Sequence, residues 1–258
     1  MMEGQPLQTH CTPRQFEFQG PGRREIVARF DGGRITSDGG VVLLGEVDRR
    51  RRIVERFATC FEDSREPGSV EHSVEELLRQ RLYALACGYE DLNDHDELRS
   101  DALLAAVVGK RDPEGRERKR ERDRGAALAG KSTLHRLEWG VAGQADEDRY
   151  RRIAISAEAV DRFFVDVFLD SHASPPDKIV LDLDATDDPL HGEQEGRFFH
   201  GYYGHYCYLP LYVFCGRHLL CARLRRSNID AAAGSVEEVD RIVGQIREVW
   251  PEVSILVR

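Results

Sequence analysis

The chain has 258 residues, 41% of them hydrophobic and 32% charged, with a formal net charge of −9. That is the make-up of a globular protein with room for one large core or two smaller ones, and it argues against a general polyanion binder. No apolar run approaches the ~18 residues that cross a bilayer, and the opening stretch MMEGQPLQTHCTPRQFEFQG lacks the apolar core of a secretory leader, so a cytoplasmic protein is expected.

Residues 1–35 read as a loose lead-in with one strand, Glu25–Phe30. Ser37 and Asp38 are suited to cap a helix running through VVLLGEVDRRRRIVERF. Ser73 and Glu76 have capping-box spacing and open a second helix, with Val74, Leu77, Leu78, Leu82 and Leu85 on one face and Gly88 at its end. A third helix is predicted over Asp96–Val108. Residues 110–124 hold eight basic and five acidic side chains without apolar periodicity, and the segment 110–130 reads as a solvated loop or linker. A short helix, STLHRLEW, follows, then a longer one near Ser156–Leu169 with Val160, Phe163, Phe164, Val167 and Phe168 inward.

At Pro175–Pro176 the pattern changes from helices to strands. Strand Ile179–Asp184, a polar loop Pro189–Gly201, an aromatic strand Tyr206–Cys215 and a strand His218–Leu224 come in turn, the last two as a hairpin about Gly216–Arg217. A helix then opens at Ser235–Glu238, again with capping-box spacing, and carries Val236, Val239, Ile242, Val243, Ile246 and Val249 on one stripe. Pro251 stops it before an apolar strand, Val253–Val257. The expected fold class is α+β: a helical region over 1–172, then strand-strand-strand-helix-strand over 173–258. The six cysteines form no C-x-x-C pair and read as small buried hydrophobes, not as a disulfide frame or a zinc site.

The chemistry concentrates in IVLDLDATDDPLHG, residues 179–192. Side chains alternate along a strand, so Asp182 and Asp184 point one way and Ile179, Leu181 and Leu183 the other. Two carboxylates crowded at a strand end repel each other unless a cation, a proton or a donor lies between them. A divalent metal beside a phosphate is one such arrangement.

The run LDLDATDDPLHGEQEGRFFHGYYGHYCYLPLYVFCGRHLLCARLR strongly resembles the transposases of the insertion sequence thirteen-eighty group, a branch of the DDE transposases. ITSDGGVVLLGEVDRR, QRLYALACGYEDLNDHDELRSDALL and LAGKSTLHRLEWG resemble that group's N-terminal region, and the likeness runs from about Ile35 to Arg258. The resemblance implies a ribonuclease-H-like catalytic domain, here its first half, that cuts and joins DNA at transposon ends. It implies three acids (Asp, Asp, Glu) holding two divalent ions, Mg2+ being the expected metal, and it places the first acid, a catalytic and metal-binding one, at Asp184. Asp182, one pleat deeper, is preferred as a hydrogen-bonded support. The family's second Asp follows the strand after the helix in a motif beginning Arg-Gly-Asp, and its Glu lies further on. The sequence stops at Val257–Arg258, so the expectation is a chain truncated before the second Asp, inactive alone, with a fraying last strand and poor solubility or a partner. Glu193, Glu195, Asp230 and Glu252, the acids available as substitutes, read as solvated surface.

Two other readings remain open. Asp182-Leu183-Asp184-Ala185-Thr186 also fits the D-x-D-x-T of haloacid-dehalogenase-like phosphatases, with Asp182 as nucleophile, although Lys178 is the last lysine and none follows to steady a phosphoryl group. Alternatively the chain is a non-catalytic DNA-binding regulator of transposition that meets transposon-end DNA or pairs with a full-length transposase. The homodimer and the mixed dimer are the expected assemblies. Lys131, Ser132 and Arg136 on the short helix are then candidate phosphate contacts, the equal alternative being a packing helix with Arg136 salt-bridged to a neighbouring acid, and Arg223, Arg225 and Arg226 after the third strand are candidate phosphate contacts and equally plausible surface charge. The aromatics Tyr202, Tyr203, Tyr206, Tyr208, Tyr212 and Phe214 read as core and cross-strand pairs, and His191, His200 and His205 as polar surface.

Overall fold

The computed structural model describes residues 15–19, 25–29, 36–139 and 152–258. In chain order the elements are β1 (Gln15–Gln19), β2 (Glu25–Arg29), α1 (Val41–Arg51), α2 (Ile53–Ala58), β3 (Phe61–Asp63), α3 (Val74–Ala86), α4 (His95–Leu98), α5 (Ala102–Val108) and α6 (Lys131–Glu138). They continue with β4 (Ile153–Ile155), α7 (Ala157–Asp170), β5 (Lys178–Ala185), β6 (Asp188–Pro189), β7 (Phe198–His200), β8 (His205–Tyr208), β9 (Leu211–Cys215), β10 (His218–Arg223), α8 (Ser235–Val249) and β11 (Ser254–Val257). The class is α+β, as expected. Two compact units form, one from Met1–Glu46 with Gln80–Lys131, the other from Val47–Arg79 with Ser132–Arg258.

In the first unit β1 and β2 pair as an antiparallel hairpin. The segment expected to be a solvated linker is a largely exposed loop over 110–125, but its end is folded into the core: Ala126, Ala127, Leu128 and Ala129 are all buried. Its backbone has to be satisfied there, and the buried Gln80 does so by donating to the Ala129 carbonyl at 2.8 Å and accepting from its N–H at 2.9 Å. Arg118 donates to the carbonyls of Ala126 and Leu128. The helix expected over 96–108 is two, because the Asp101 side chain accepts from the Leu104 N–H at 2.8 Å and starts α5 afresh. Lys131 is held by Asp96 at 3.1 Å and donates to Asn93. The Asp38 side chain binds the Tyr89 hydroxyl at 2.8 Å. Leu85, expected on the buried face of α3, is exposed; Tyr83 and Ala84 are buried instead.

In the second unit the long first helix is also interrupted. Arg52 takes a left-handed φ of 53°, and the buried Asp48 caps α2 by accepting from the Val54 N–H at 2.8 Å. The capping box at Ser73 forms as expected: Ser73 N–H reaches Glu76 at 2.9 Å and Glu76 N–H reaches the Ser73 hydroxyl at 3.1 Å.

The main sheet has four strands in the order β10-β9-β5-β11, with β5 antiparallel to β9 and parallel to β11. β9 and β10 form the expected hairpin. The core under the sheet joins Ile179 and Leu181 of β5, Val213 of β9, Leu220 and Cys221 of β10, Val165, Phe168 and Leu169 of α7, and Ile242 and Ile246 of α8. The inward stripe of α7 is therefore rotated from the expected one, running through Asp161, Val165, Phe168 and Leu169, while α8 leaves Val236 and Val249 exposed. Ser235 does not cap α8 with its side chain, since Gly234 is the cap residue and Glu238 is engaged by Arg223 and Arg241. The last strand is paired in the sheet: β11 lies against β5 along its length, and Arg258 exchanges backbone bonds with Leu181 at 3.0 Å and Leu183 at 2.9 Å.

The expected continuous strand Tyr206–Cys215 is broken at Leu209–Pro210. Proline has no N–H to donate to a ladder, and β8 pairs not with the main sheet but with β6 and β7 in a small three-stranded sheet. The polar loop after Asp184 is thus partly this sheet.

Candidate functional site

β5 is the strand that positions the site. Ile179 and Leu181 are buried and Leu183 packs on the same core, which leaves the opposite face to Asp182 and Asp184. Asp182 lies opposite Phe214 and Asp184 opposite Tyr212 in the register with β9. Asp184, near the end of the strand, is exposed, and its side chain makes no hydrogen bond or ion pair among the described residues. Asp182 is half-buried and is held by the Arg258 guanidinium, whose Nη2 lies 3.3 Å from its second oxygen. It is hydrogen-bonded, as preferred for a support, but by an exposed arginine and not by core donors.

Beyond the strand, Asp187 binds Nε2 of His205 at 2.7 Å. Tyr203 donates to the Ala185 carbonyl at 3.4 Å and lies 4.9 Å from the His200 ring. Loss of solvent, followed by the negative charges of Asp187 and Asp184, pushes the Tyr203 hydroxyl above its ordinary range. The small sheet therefore folds back on the end of β5 through Asp187–His205. Sequence reading took His205 as surface because its partner is 18 residues away; the only available signal was an ionisable ring opposite an acidic run.

The other candidates separate clearly. Glu193, Glu195, Asp230 and Glu252 are all exposed, as expected of solvated acids. Arg223, by contrast, binds Asp161 of α7 and, at 2.5 Å, Glu238 of α8, and Arg225 donates to the carbonyls of Leu209, Ala231 and Ala233. Both brace the fold and are not open phosphate contacts. The aromatics divide. Tyr208, Tyr212 and Phe214 are half-buried, whereas Tyr202 and Tyr206 are exposed; Tyr206 packs edge-on against Phe199 and under Arg197.

A divalent cation needs several close oxygens. Among the described residues no three His, Cys, Asp or Glu side chains come together to hold one. Asp184 brings an open carboxylate, Asp182's is taken up by Arg258 and Asp187's by His205. These side chains do not by themselves make a complete metal centre.

The family model described as transposase DDE domain, group 1, matches residues 18–258. The chain belongs to this family. No curated protein and no solved structure matches it. DDE transposases act on DNA ends and generally use divalent metal. No helix among the described residues is long and apolar enough to cross a membrane.

Proposed function

We propose that the chain acts in DNA transposition as a DDE transposase of the insertion sequence thirteen-eighty group, with Asp184 as its first catalytic and metal-binding acid and Mg2+ as the metal. One observation carries the reading: an open carboxylate near the end of β5, the strand between antiparallel β9 and parallel β11. The strand order β10-β9-β5-β11, with α8 leading into β11, is the arrangement expected of the opening half of a ribonuclease-H-like sheet. In this reading residues 173–258 belong to the catalytic domain and residues 1–172 to DNA recognition, and the protein works in the cytoplasm as a homodimer or a mixed dimer. Asp184 would hold a divalent ion that stabilises charge on the phosphate under attack. Asp182 keeps Arg258 beside the strand.

With one open acid, residues 1–258 are expected to bind DNA ends without cutting them. The lack of a three-acid group among the described residues favours, as second reading, a non-catalytic regulator of transposition. The phosphatase alternative needs Asp182 as nucleophile, and Arg258 occupies it.

The test uses duplexes taken from the flanks of the coding sequence, with Mg2+ or Mn2+. The expected result is a retarded complex and no nicking. Absence of binding to every flank refutes the transposase reading. Nicking that vanishes in Asp184→Asn would keep the role of Asp184 and refute the inactivity.

A further inference from the structure

We propose that a cleft on the Ser132–Arg258 and Val47–Arg79 unit, bounded by Arg65, Arg136 and Arg152, is a phosphate site that grips the DNA backbone; this rests on the transposase reading above. The cleft has a volume of about 340 Å³ and is lined by these three arginines with the hydroxyl residues Ser69 and Thr133 and one acid, Glu66.

The fold brings them together from four places. β3 and β4 pair antiparallel, with Asp63 opposite Ile153, and the Ser64 N–H donates to the Arg152 carbonyl at 2.7 Å. This sets Arg65 and Arg152 at the same end of the two-stranded ribbon. α6 buries Leu134 and Leu137. Thr133 and Arg136, three apart, therefore share another face of the helix, and both line the cleft. Ser69 comes from the turn Pro67–Ser69.

Arg65 is fixed before any ligand arrives. Its Nε and Nη2 bind Asp63 at 2.7 and 2.6 Å, and Nη2 also donates to the His72 carbonyl at 3.0 Å. The Asp63 carboxyl is held below its usual range, first by the hydrogen bond from Arg65. Such a braced guanidinium loses little freedom on meeting an anion. Arg152 is exposed and makes no side-chain ion pair among the described residues. Counting Glu66 and the Asp63 carboxylate paired with Arg65 against the three arginines, the cleft is still net positive, with hydroxyl donors alongside. Forked guanidinium donors and hydroxyls suit a tetrahedral phosphate better than a planar carboxylate or a neutral ligand.

The experiment compares the 258-residue chain with Arg136→Gln/Arg152→Gln in binding a fluorescent 30-base-pair duplex across a salt series. Both positions are exposed, so the melting temperature serves as the control for folding. Removing one phosphate contact should flatten the slope of log K against log salt by ~0.9 and weaken binding about fivefold near 0.15 M salt. The double variant is therefore expected to lose about 30-fold in affinity and ~1.8 in slope. Arg120→Gln/Arg217→Gln, with the same change in charge elsewhere, is expected to alter the slope by less than ~0.5. Wild-type slope and affinity in the cleft variant would overturn the cleft while leaving DNA binding intact. Failure of the wild-type chain to bind any duplex would overturn both. A calorimetric titration with inorganic phosphate separates the sources: saturable phosphate binding that disappears in a variant still binding duplex normally would make this a small-anion site and overturn the DNA assignment.

Discussion

Replacing Arg223 by Gln should destabilise the sheet unit without touching DNA affinity. Arg223 joins three elements, since it leaves β10 to bind Asp161 on α7 and Glu238 on α8, and Arg241 reaches Glu238 from the next turn at 2.9 Å. The two carboxylate side chains are only 11% and 13% exposed, and Arg223 is a third exposed. Burial works against the charge of Arg223, but its bonds to Glu238 and Asp161 outweigh this and raise its pKa. Burial likewise opposes ionisation of Glu238, and the hydrogen bonds from Arg223 and Arg241 reverse the balance, holding it below the ordinary range. Removing one partner of a buried pair costs about 3–5 kcal/mol. Solvent at Arg223 and the remaining bond from Arg241 reduce this to about 2 kcal/mol. For a protein of this size that is a fall of about 4–8 °C in melting temperature.

Thermal melts followed by circular dichroism, run in parallel with the exposed-pair variant Arg162→Gln, measure it; the control should move by less than ~1 °C because its bond to Glu248 is solvated. The pH dependence has a definite sign. Glu238 has a depressed folded pKa, so its contribution is full above the unfolded value of ~4.3 and disappears as pH falls through the folded value. The gap between wild type and variant should therefore be widest near neutrality, begin to narrow as pH falls below about 4.3 and close only below the folded value. A stable Arg223→Gln protein with sharply weaker duplex binding would refute the bracing role and restore Arg223 as a phosphate contact.

Other substitutions read out single features. Gln80→Leu strands the N–H and carbonyl of Ala129 in the core and should cost about 2–4 kcal/mol in a melt; a drop under ~0.5 kcal/mol would mean that the 126–129 segment is not packed as described. Ser73→Ala removes one half of the capping box and should cost about 1 kcal/mol by urea unfolding. Cys221 is fully buried and burial, with the nearby Glu238 charge, pushes its thiol to about 11, so it should resist a thiol reagent at pH 8 until the protein is unfolded.

What the sequence made legible follows from the range of the forces involved. The capping box at Ser73, the hairpin at Gly216 and the alternation of β5 are set by residues a few positions apart, and all three stand. Partners distant in sequence were hidden. Nothing local marks Gln80 as the bracket for Ala129, so the charged stretch around it looked like a linker. The rotation of α7 comes from the buried Asp161, which a hydrophobic stripe cannot anticipate because its burial depends on Arg223, 62 residues on. The same long-range pairing removed Glu238 from its expected capping role. At the site, alternation was enough to place Asp184 and Asp182 on one face, but only the fold distinguishes the acid held by Arg258 from the one left open.

Paramagnetic Mn2+ titrated into isotopically labelled chain, with backbone amide broadening as the readout, probes Asp184 directly. A lone carboxylate predicts weak, millimolar binding with broadening centred on residues 184–187 and the facing Tyr212, abolished by Asp184→Asn and kept in Asp182→Asn. Broadening centred instead on the acid-lined cleft of Asp38, Asp94, Glu97 and Asp101, and unchanged in Asp184→Asn, would contradict the assignment.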